Sequence, residues 1–253
     1  MSEHRGGRLD RGDGIQLAWA LRAGRGPTVA FLPGFASDMA GAKATALDAA
    51  CAARGQAMLR FDYSGHGASG GAFTDGTIGQ WLSDALAVID RASAGPLLLV
   101  GSSMGGWIGL HVALARPERV VGLVGIAAAP DFTETLMWDS MAPPERARLL
   151  ADGFLDVPSQ YGAPLRVTRA LIEDGRRHRL LGAPIRLRIP VRLLQGQRDD
   201  DVPWQTALRL AERIAGDDVQ VTLIKDGDHR LSRPADLALL ARTVFSLLGE
   251  DAG

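Results

Sequence analysis

Short apolar runs, each followed by a longer stretch of helical periodicity, constrain this chain more than any other feature. Thr28-Val29-Ala30-Phe31-Leu32, Ala57-Met58-Leu59-Arg60-Phe61 and Leu97-Leu98-Leu99-Val100 read as strands, as do Val120–Ile126, Val191-Arg192-Leu193-Leu194 and Val219–Ile224. Most are continuous rather than alternating, the pattern of strands covered on both faces. Helical patterns lie near residues 40–53, 78–92, 104–115, 204–214 and 235–248. Such alternation requires right-handed crossovers and predicts the α/β class, with an open, mostly parallel sheet flanked by helices. Residues 8–22, centred on Asp10-Arg11-Gly12-Asp13-Gly14, read instead as an antiparallel hairpin on one edge.

The alternation breaks between residues 131 and 188. No strand pattern stands out there, and Pro143-Pro144, Pro158, Pro164 and Pro184 punctuate short helical pieces. A structureless loop of that length is unusual, so the segment reads as a small helical cap inserted between two strands. The expected division is a core of residues 1–130 and 189–253 with a cap at 131–188. A length of 253 residues, 46% hydrophobic and 23% charged, suits such a globular unit and sets aside disordered, collagen-like and coiled-coil readings. The net charge of −1 offers no basic field for a phosphate backbone, so no nucleic-acid partner is expected. Cys51 is the only cysteine, which excludes an intrachain disulfide framework and suits a reducing compartment. No apolar stretch opens the chain, and no window approaches the roughly 18 apolar residues of a membrane helix. These features predict a cytoplasmic protein without a membrane span.

The strongest chemical signal is Leu97-Leu98-Leu99-Val100-Gly101-Ser102-Ser103-Met104-Gly105-Gly106: a buried strand, G-x-S-x-G, then a helix. Chain reversal within so few residues exposes the Ser103 hydroxyl at the carboxyl end of the sheet, beside a helix N-terminus that favours developing negative charge. The pentapeptide alone is weak: Gly67-Ala68-Ser69-Gly70-Gly71 also matches it. No helix pattern begins there, and Ser69 reads as loop.

A nucleophilic serine needs a base. His4 lies in the tail, His111 within the helix after Ser103, and His178 in the arginine-rich cap; His66 follows a strand and reads as a turn residue. His229 is best placed, on the loop after Val219–Ile224 and last in chain order, as the serine–acid–histidine sequence of such a fold requires. The pattern G-x-x-D-x-x-V-P in Gly196-Gln197-Arg198-Asp199-Asp200-Asp201-Val202-Pro203 selects Asp199 as the acid, with Asp200 its main rival and Asp131 a poorer candidate. The strand before Pro33-Gly34-Phe35 ends where one oxyanion donor belongs, so the backbone N–H groups of Phe35 and Met104 are the expected oxyanion hole. Metal-ligand spacings and glycine-rich phosphate motifs are missing, so neither metal nor cofactor is expected.

With these motifs in place, the chain from Phe31 to about Leu248 resembles the α/β-hydrolase superfamily. Longer local matches resemble its mitochondrial acyl-protein thioesterase and acyl-glucuronide esterase type: Phe61-Asp62-Tyr63-Ser64-Gly65, Gly101-Ser102-Ser103-Met104-Gly105-Gly106-Trp107, Ala115-Arg116-Pro117-Glu118-Arg119-Val120-Val121, Pro190-Val191-Arg192-Leu193-Leu194-Gln195-Gly196, Asp199-Asp200-Asp201-Val202-Pro203-Trp204 and Asp228-His229-Arg230. The resemblance implies Ser103, Asp199 and His229 in the roles already assigned, and a substrate that is a small acyl ester or thioester, or an acylated protein. The start of the chain lacks a targeting pattern, so mitochondrial residence is not carried over.

Substrate clues lie in the cap. Arg166, Arg169, Arg176, Arg177, Arg179, Arg186 and Arg188 face only Glu173 and Asp174 in sequence, which would suit an anionic acyl carrier but also a solvated face. Trp107, Trp138, Met137 and Met141 are candidates for an apolar acyl pocket. Peptidase or C–C hydrolase chemistry on the same three residues, and a non-catalytic binding role, are the alternatives.

Overall fold

A computed structural model describes residues 4–158 and 164–249; residues 159–163 of the expected cap and the residues at both termini lie outside it. The strands are β1 (His4–Asp10), β2 (Gln16–Arg22), β3 (Arg25–Leu32), β4 (Gln56–Phe61), β5 (Leu97–Ser102), β6 (Val120–Ile126), β7 (Phe154–Val157), β8 (Leu165–Thr168), β9 (Val191–Gly196) and β10 (Val219–Ile224). The helices are α1 (Ala42–Ala53), α2 (Ile78–Ala92), α3 (Met104–Ala115), α4 (Pro143–Asp152), α5 (Arg169–Arg177), α6 (Gln205–Arg213) and α7 (Pro234–Leu247). Eight strands form one sheet in the order β1-β2-β4-β3-β5-β6-β9-β10, parallel from β4 to β10, with the β1–β2 hairpin antiparallel at one edge.

Alternate residues of each strand point to opposite faces, and this divides the core in two. Leu97 and Leu99 of β5 join Leu59, Phe61, Leu123 and Leu193 under α2, α3 and α6. Leu98 and Val100 join Val29, Phe31, Val124 and Leu194 under α1 and α7. Both faces are covered, which is why the strands read as unbroken apolar runs. Helix α3 is apolar all round and almost wholly buried, as a helix packed on every side must be. No helix among the described residues is long and apolar enough to cross a membrane.

The insertion between β6 and β9 departs from the helical expectation. A π-helical turn at Thr133–Trp138 and α4 are followed by the antiparallel pair β7–β8, and then by α5. Each of these strands has four residues with one charge at its centre, too short and too polar to register as a strand pattern. Asp156 and Arg166 stand opposite each other in the pair and are joined by two 2.8 Å contacts. Met141, Leu149, Leu155, Val167 and Ile172 give the insertion a small core of its own.

Three polar acceptors, with five hydrogen bonds between them, fasten the returning end of the insertion to the rest of the molecule. The buried Asp131 carboxylate accepts the N–H groups of Leu180 (2.7 Å) and Leu181 (3.0 Å). The His178 carbonyl accepts from Trp107 Nε1 (3.1 Å) and His111 Nε2 (2.8 Å), both on α3. Asp174 accepts the Gly79 N–H at the start of α2 (2.7 Å). Asp131 has φ = 60°, a region that aspartate and asparagine tolerate better than most residues. Replacing Asp131 by Ala is expected to cost about 3 kcal/mol in urea unfolding, because two N–H groups lose a charged acceptor. Asp131→Asn, which keeps the backbone preference and one acceptor, is expected to cost less.

Candidate active site

Ser103 stands between β5 and α3 with φ = 52° and ψ = −117°, a conformation that costs on the order of 1–3 kcal/mol for a residue with a side chain. Its backbone is held from both sides: the N–H donates to Ile126 O (2.9 Å), and the carbonyl accepts from Gly106 (2.9 Å) and Ala129 (3.1 Å). The motif glycines serve close packing, not positive φ. A Cβ on Gly101 would strike the Gly105 backbone, one on Gly105 the carbonyls of Leu32 and Pro33, and one on Gly106 the Ala128 side chain. Helix α3 therefore presses against the ends of β3 and β5, and Ser103 carries the strain. The residue is partly exposed, and among the described residues its hydroxyl makes no hydrogen bond.

Asp199 and His229 leave neighbouring strands, β9 and β10, at the same carboxyl edge. His229 Nδ1 lies 2.9 Å from Asp199 Oδ2; the Asp199 side chain is fully buried and that of His229 is 19% exposed. Because a carboxylate only accepts, Nδ1 carries the proton and Nε2 is left as a lone-pair nitrogen in the neutral ring. Asp199 also takes the N–H groups of Asp201 (2.9 Å) and Val202 (2.7 Å) on Oδ1, and Gln195 Nε2 (2.8 Å) on Oδ2. Neither Asp200, which is exposed, nor Asp131, engaged with Leu180 and Leu181, has a bond to His229. The structure brings Asp199 and His229 into contact and sets Ser103 on the same edge, with no hydrogen bond joining its hydroxyl to the imidazole. Such bonds are often open until substrate is bound.

Donor atoms of Asp199, Asp201 and His229 lie within 4.8 Å of one another, the one trio of potential metal ligands among the described residues. Chain spacing does not reveal that proximity. Both Asp199 oxygens are already committed to N–H donors, which fits an acid–base pair better than a cation site.

Gly34 lies against the elbow, its missing Cβ position 3.3 Å from Ser102 O and 3.4 Å from Ser103 Cβ. Among the described residues the backbone N–H groups of Phe35, next in sequence to Gly34, and of Met104, next to Ser103, make no hydrogen bond. The Phe35 ring is wedged among Phe73, Trp81 and Phe132, at centroid distances of 4.9, 5.7 and 5.6 Å. His66 fixes the loop: Nε2 accepts the Ala36 N–H (3.3 Å) while Nδ1 donates to Ser64 O (3.0 Å). Ser64 is in turn held by the buried Asp84, through its N–H (2.8 Å) and hydroxyl (2.6 Å). The glycine-rich loop directly after a strand was the available signal for this support.

The remaining candidates fall elsewhere. The Ser69 hydroxyl accepts from Ala18 N–H (2.8 Å) and donates to Asp62 O (2.7 Å), tying the loop to β2. Trp107 is fully buried, with its indole N–H on the His178 carbonyl. Trp138 packs on the core of the insertion under the guanidinium groups of Arg146 and Arg176, and Met141 is buried in that same core. Met137 touches both this cluster and the main core, at the seam between them. Of the seven arginines, Arg166, Arg169, Arg176 and Arg177 are paired with carboxylates. Arg186 and Arg188 lie on the segment entering the amino end of β9, the edge opposite Ser103.

Burial pushes the imidazoles of His66 and His111 below the ordinary range, chiefly by desolvation. The unfolded chain takes up protons at these positions below pH about 6.5 and the folded chain does not. Stability is expected to fall as pH drops below that value and to be insensitive to these groups above it. Urea unfolding between pH 5 and 7.5 checks this, with His66→Gln, which keeps an acceptor but does not titrate, giving a flatter profile.

Comparison with known proteins agrees with this architecture. The family described as serine aminopeptidase, S33 matches residues 26–157. Palmitoyl-protein thioesterase ABHD10, mitochondrial, of Mus musculus is 41% identical over 242 residues, covering 95% of this chain and 81% of that protein. The Homo sapiens protein of the same name is 40% identical, with 95% and 79% covered. Among solved structures, a protein of Agrobacterium vitis S4 superposes with TM-score 0.92 at 44% identity, covering 98% of this chain and 99% of that one. Mouse alpha/beta hydrolase domain-containing protein 10 superposes with TM-score 0.90 at 39% identity, over 97% and 98%. The mouse, bovine and human relatives are mitochondrial proteins, which overturns the cytoplasmic expectation drawn from the N-terminus and the single cysteine. Across its length the chain belongs to the α/β-hydrolase family, as a relative of palmitoyl-protein thioesterase ABHD10.

Proposed function

We propose that this chain hydrolyses acyl thioesters and carboxylic esters through a covalent acyl-enzyme on Ser103. The observation that carries the reading is a serine on a strained backbone, its hydroxyl unbonded among the described residues, on the same sheet edge as a histidine whose Nδ1 is fixed by a buried carboxylate. His229 Nε2 takes the Ser103 proton as Oγ attacks the acyl carbon. The Phe35 and Met104 N–H groups receive the oxyanion, each worth about 3 kcal/mol in the transition state. Collapse breaks the C–S or C–O bond, and His229 returns the proton to the leaving thiolate or alkoxide. Water, activated by the same nitrogen, then attacks the acyl-enzyme and frees the acid. Asp199 stays ionised and keeps the imidazole oriented. The reaction so written uses no metal or organic cofactor.

Residues 131–188 are proposed as a cap over a core of 1–130 and 189–253, with Met137 at the seam, Phe35 and Phe132 as apolar neighbours of the acyl chain, and Trp107 and Trp138 as their supports. The identity to the thioesterases supports a long acyl chain on a thiol carrier. Pairing of four cap arginines with carboxylates, and the placement of Arg186 and Arg188 on the far edge, weigh against a strongly anionic carrier.

The test is steady-state hydrolysis of p-nitrophenyl esters, acyl-CoA thioesters and an aminoacyl p-nitroanilide, with wild type beside Ser103→Ala. The expected result is turnover of the acyl substrates, a loss on the order of 10⁴-fold or more in the variant, and stoichiometric labelling of wild-type Ser103 by a fluorophosphonate. Preference for the anilide would favour a peptidase, and a wild type that neither turns over nor labels would overturn the reading.

A further inference from the structure

Gln195 is the fifth residue of β9 and is fully buried. Its Nε2 lies 2.8 Å from Asp199 Oδ2, 3.2 Å from the Val202 carbonyl and 3.4 Å from the Gly196 carbonyl. Three acceptors around one end of the amide decide which end is nitrogen, since the reversed group would set an oxygen against three oxygens. Oε1, at the other end, is buried without a partner among the described residues. An orphan acceptor of this kind costs folding stability, and an apolar side chain of the same shape would avoid the cost. A buried amide that persists with half its hydrogen-bonding capacity unused calls for a function outside the fold.

Asp199 supplies that function. Its carboxylate is fully buried, and among the described residues no guanidinium or ammonium is paired with it. Four N–H donors balance its charge: two backbone groups on Oδ1, and His229 and Gln195 together on Oδ2. Among the described residues Gln195 is thus the only side chain besides the histidine that holds the acid. A carboxylate gripped at one oxygen by backbone alone could still swing the other; the amide closes that freedom.

We infer that Gln195 is a positioning residue for the hydrolysis proposed above: by sharing Asp199 Oδ2 with His229 it locks the carboxylate plane and draws off part of the charge that the imidazole meets. The inference rests on the reading of Ser103, Asp199 and His229 as the reacting machinery.

Gln195→Met removes the donor and the orphan oxygen together while keeping the length of the side chain. The variant is expected to melt at or above the wild-type temperature. Its kcat/KM on a p-nitrophenyl acyl ester is expected to fall about ten- to hundredfold, the worth of one hydrogen bond to a charged group, with the change in kcat and not in KM. The acidic limb of the pH profile is expected to move to higher pH, because a carboxylate relieved of one donor holds the imidazolium more strongly. Other charged groups around the pair are the Asp201 carboxylate, within 4.8 Å of both; Asp228, bonded to the Leu231 N–H; and Arg230, whose carbonyl takes Lys43 Nζ from α1. The substitution alters none of them. A Gln195→Met protein with wild-type kcat and limb overturns the inference, as does a loss of activity without movement of the limb, which is what a purely structural role would give. Gln195→Leu carries the same expectations should the methionine variant not fold. Fluorophosphonate labelling separates the two levels: an unlabelled wild type sinks the functional reading itself, while a labelled wild type with an indifferent Gln195→Met sinks this inference alone.

Discussion

The absence of side-chain volume at three glycines is what the arrangement depends on. Gly101 and Gly105 let α3 settle directly on the backbone at the ends of β3 and β5, closer than any Cβ would permit, and Gly106 gives it the same room against Ala128 beyond β6. That approach forces the sharp turn and leaves Ser103 to absorb it at φ = 52°. The strain is sustained because the hydrogen bonds of the Ser103 backbone and the nearly complete burial of α3 over-determine the position. The Gly34 backbone also lies against this turn, beside the serine.

Around this turn, one device recurs at the carboxyl edge of the sheet. At each of four loops a buried aspartate carboxylate accepts one or two backbone N–H groups. Asp62 holds Met39 and Ala68, Asp84 holds Ser64, Asp131 holds Leu180 and Leu181, and Asp199 holds Asp201 and Val202. Desolvation raises the Asp62 carboxyl above its ordinary range, a sign of what such burial costs. Charge-assisted hydrogen bonds to the main chain are strong enough to offset that cost and, unlike apolar contacts, they are directional. Loops at this edge can therefore be irregular in sequence and still fixed in geometry. At Asp199 the other oxygen also holds the His229 imidazole.

The insertion follows a different logic. Its core is five side chains, and its returning end is secured by hydrogen bonds to α2, α3 and Asp131. A unit that size gains little from burial within itself, so it is held by those fastenings together with Phe132, Leu171 and Leu181, which are buried in the main core. Trp107 illustrates the point: an aromatic residue one turn past the elbow suggests a pocket wall, whereas its indole N–H ties the insertion down.

Strand and helix positions in the core were legible because burial on both faces of a parallel sheet imposes continuous apolar runs, and those runs are local in sequence. The turn at Ser103 and the spacing that singled out Asp199, the aspartate bonded to His229, were legible for the same reason, each being a short local pattern. The β7–β8 pair was not, since four-residue strands carrying Asp156 and Arg166 have no periodicity to detect and exist through their cross-strand pairing. Nor were the contacts of Gln195, His66 and Asp131, or the nearness of Asp201 to His229. Sequence by itself determined which residues are chemically equipped to act, because equipment is a property of residue type and local pattern. Tertiary structure decided which of them meet, because a hydrogen bond between Asp199 and His229, thirty positions apart, depends on how β9 and β10 are laid side by side.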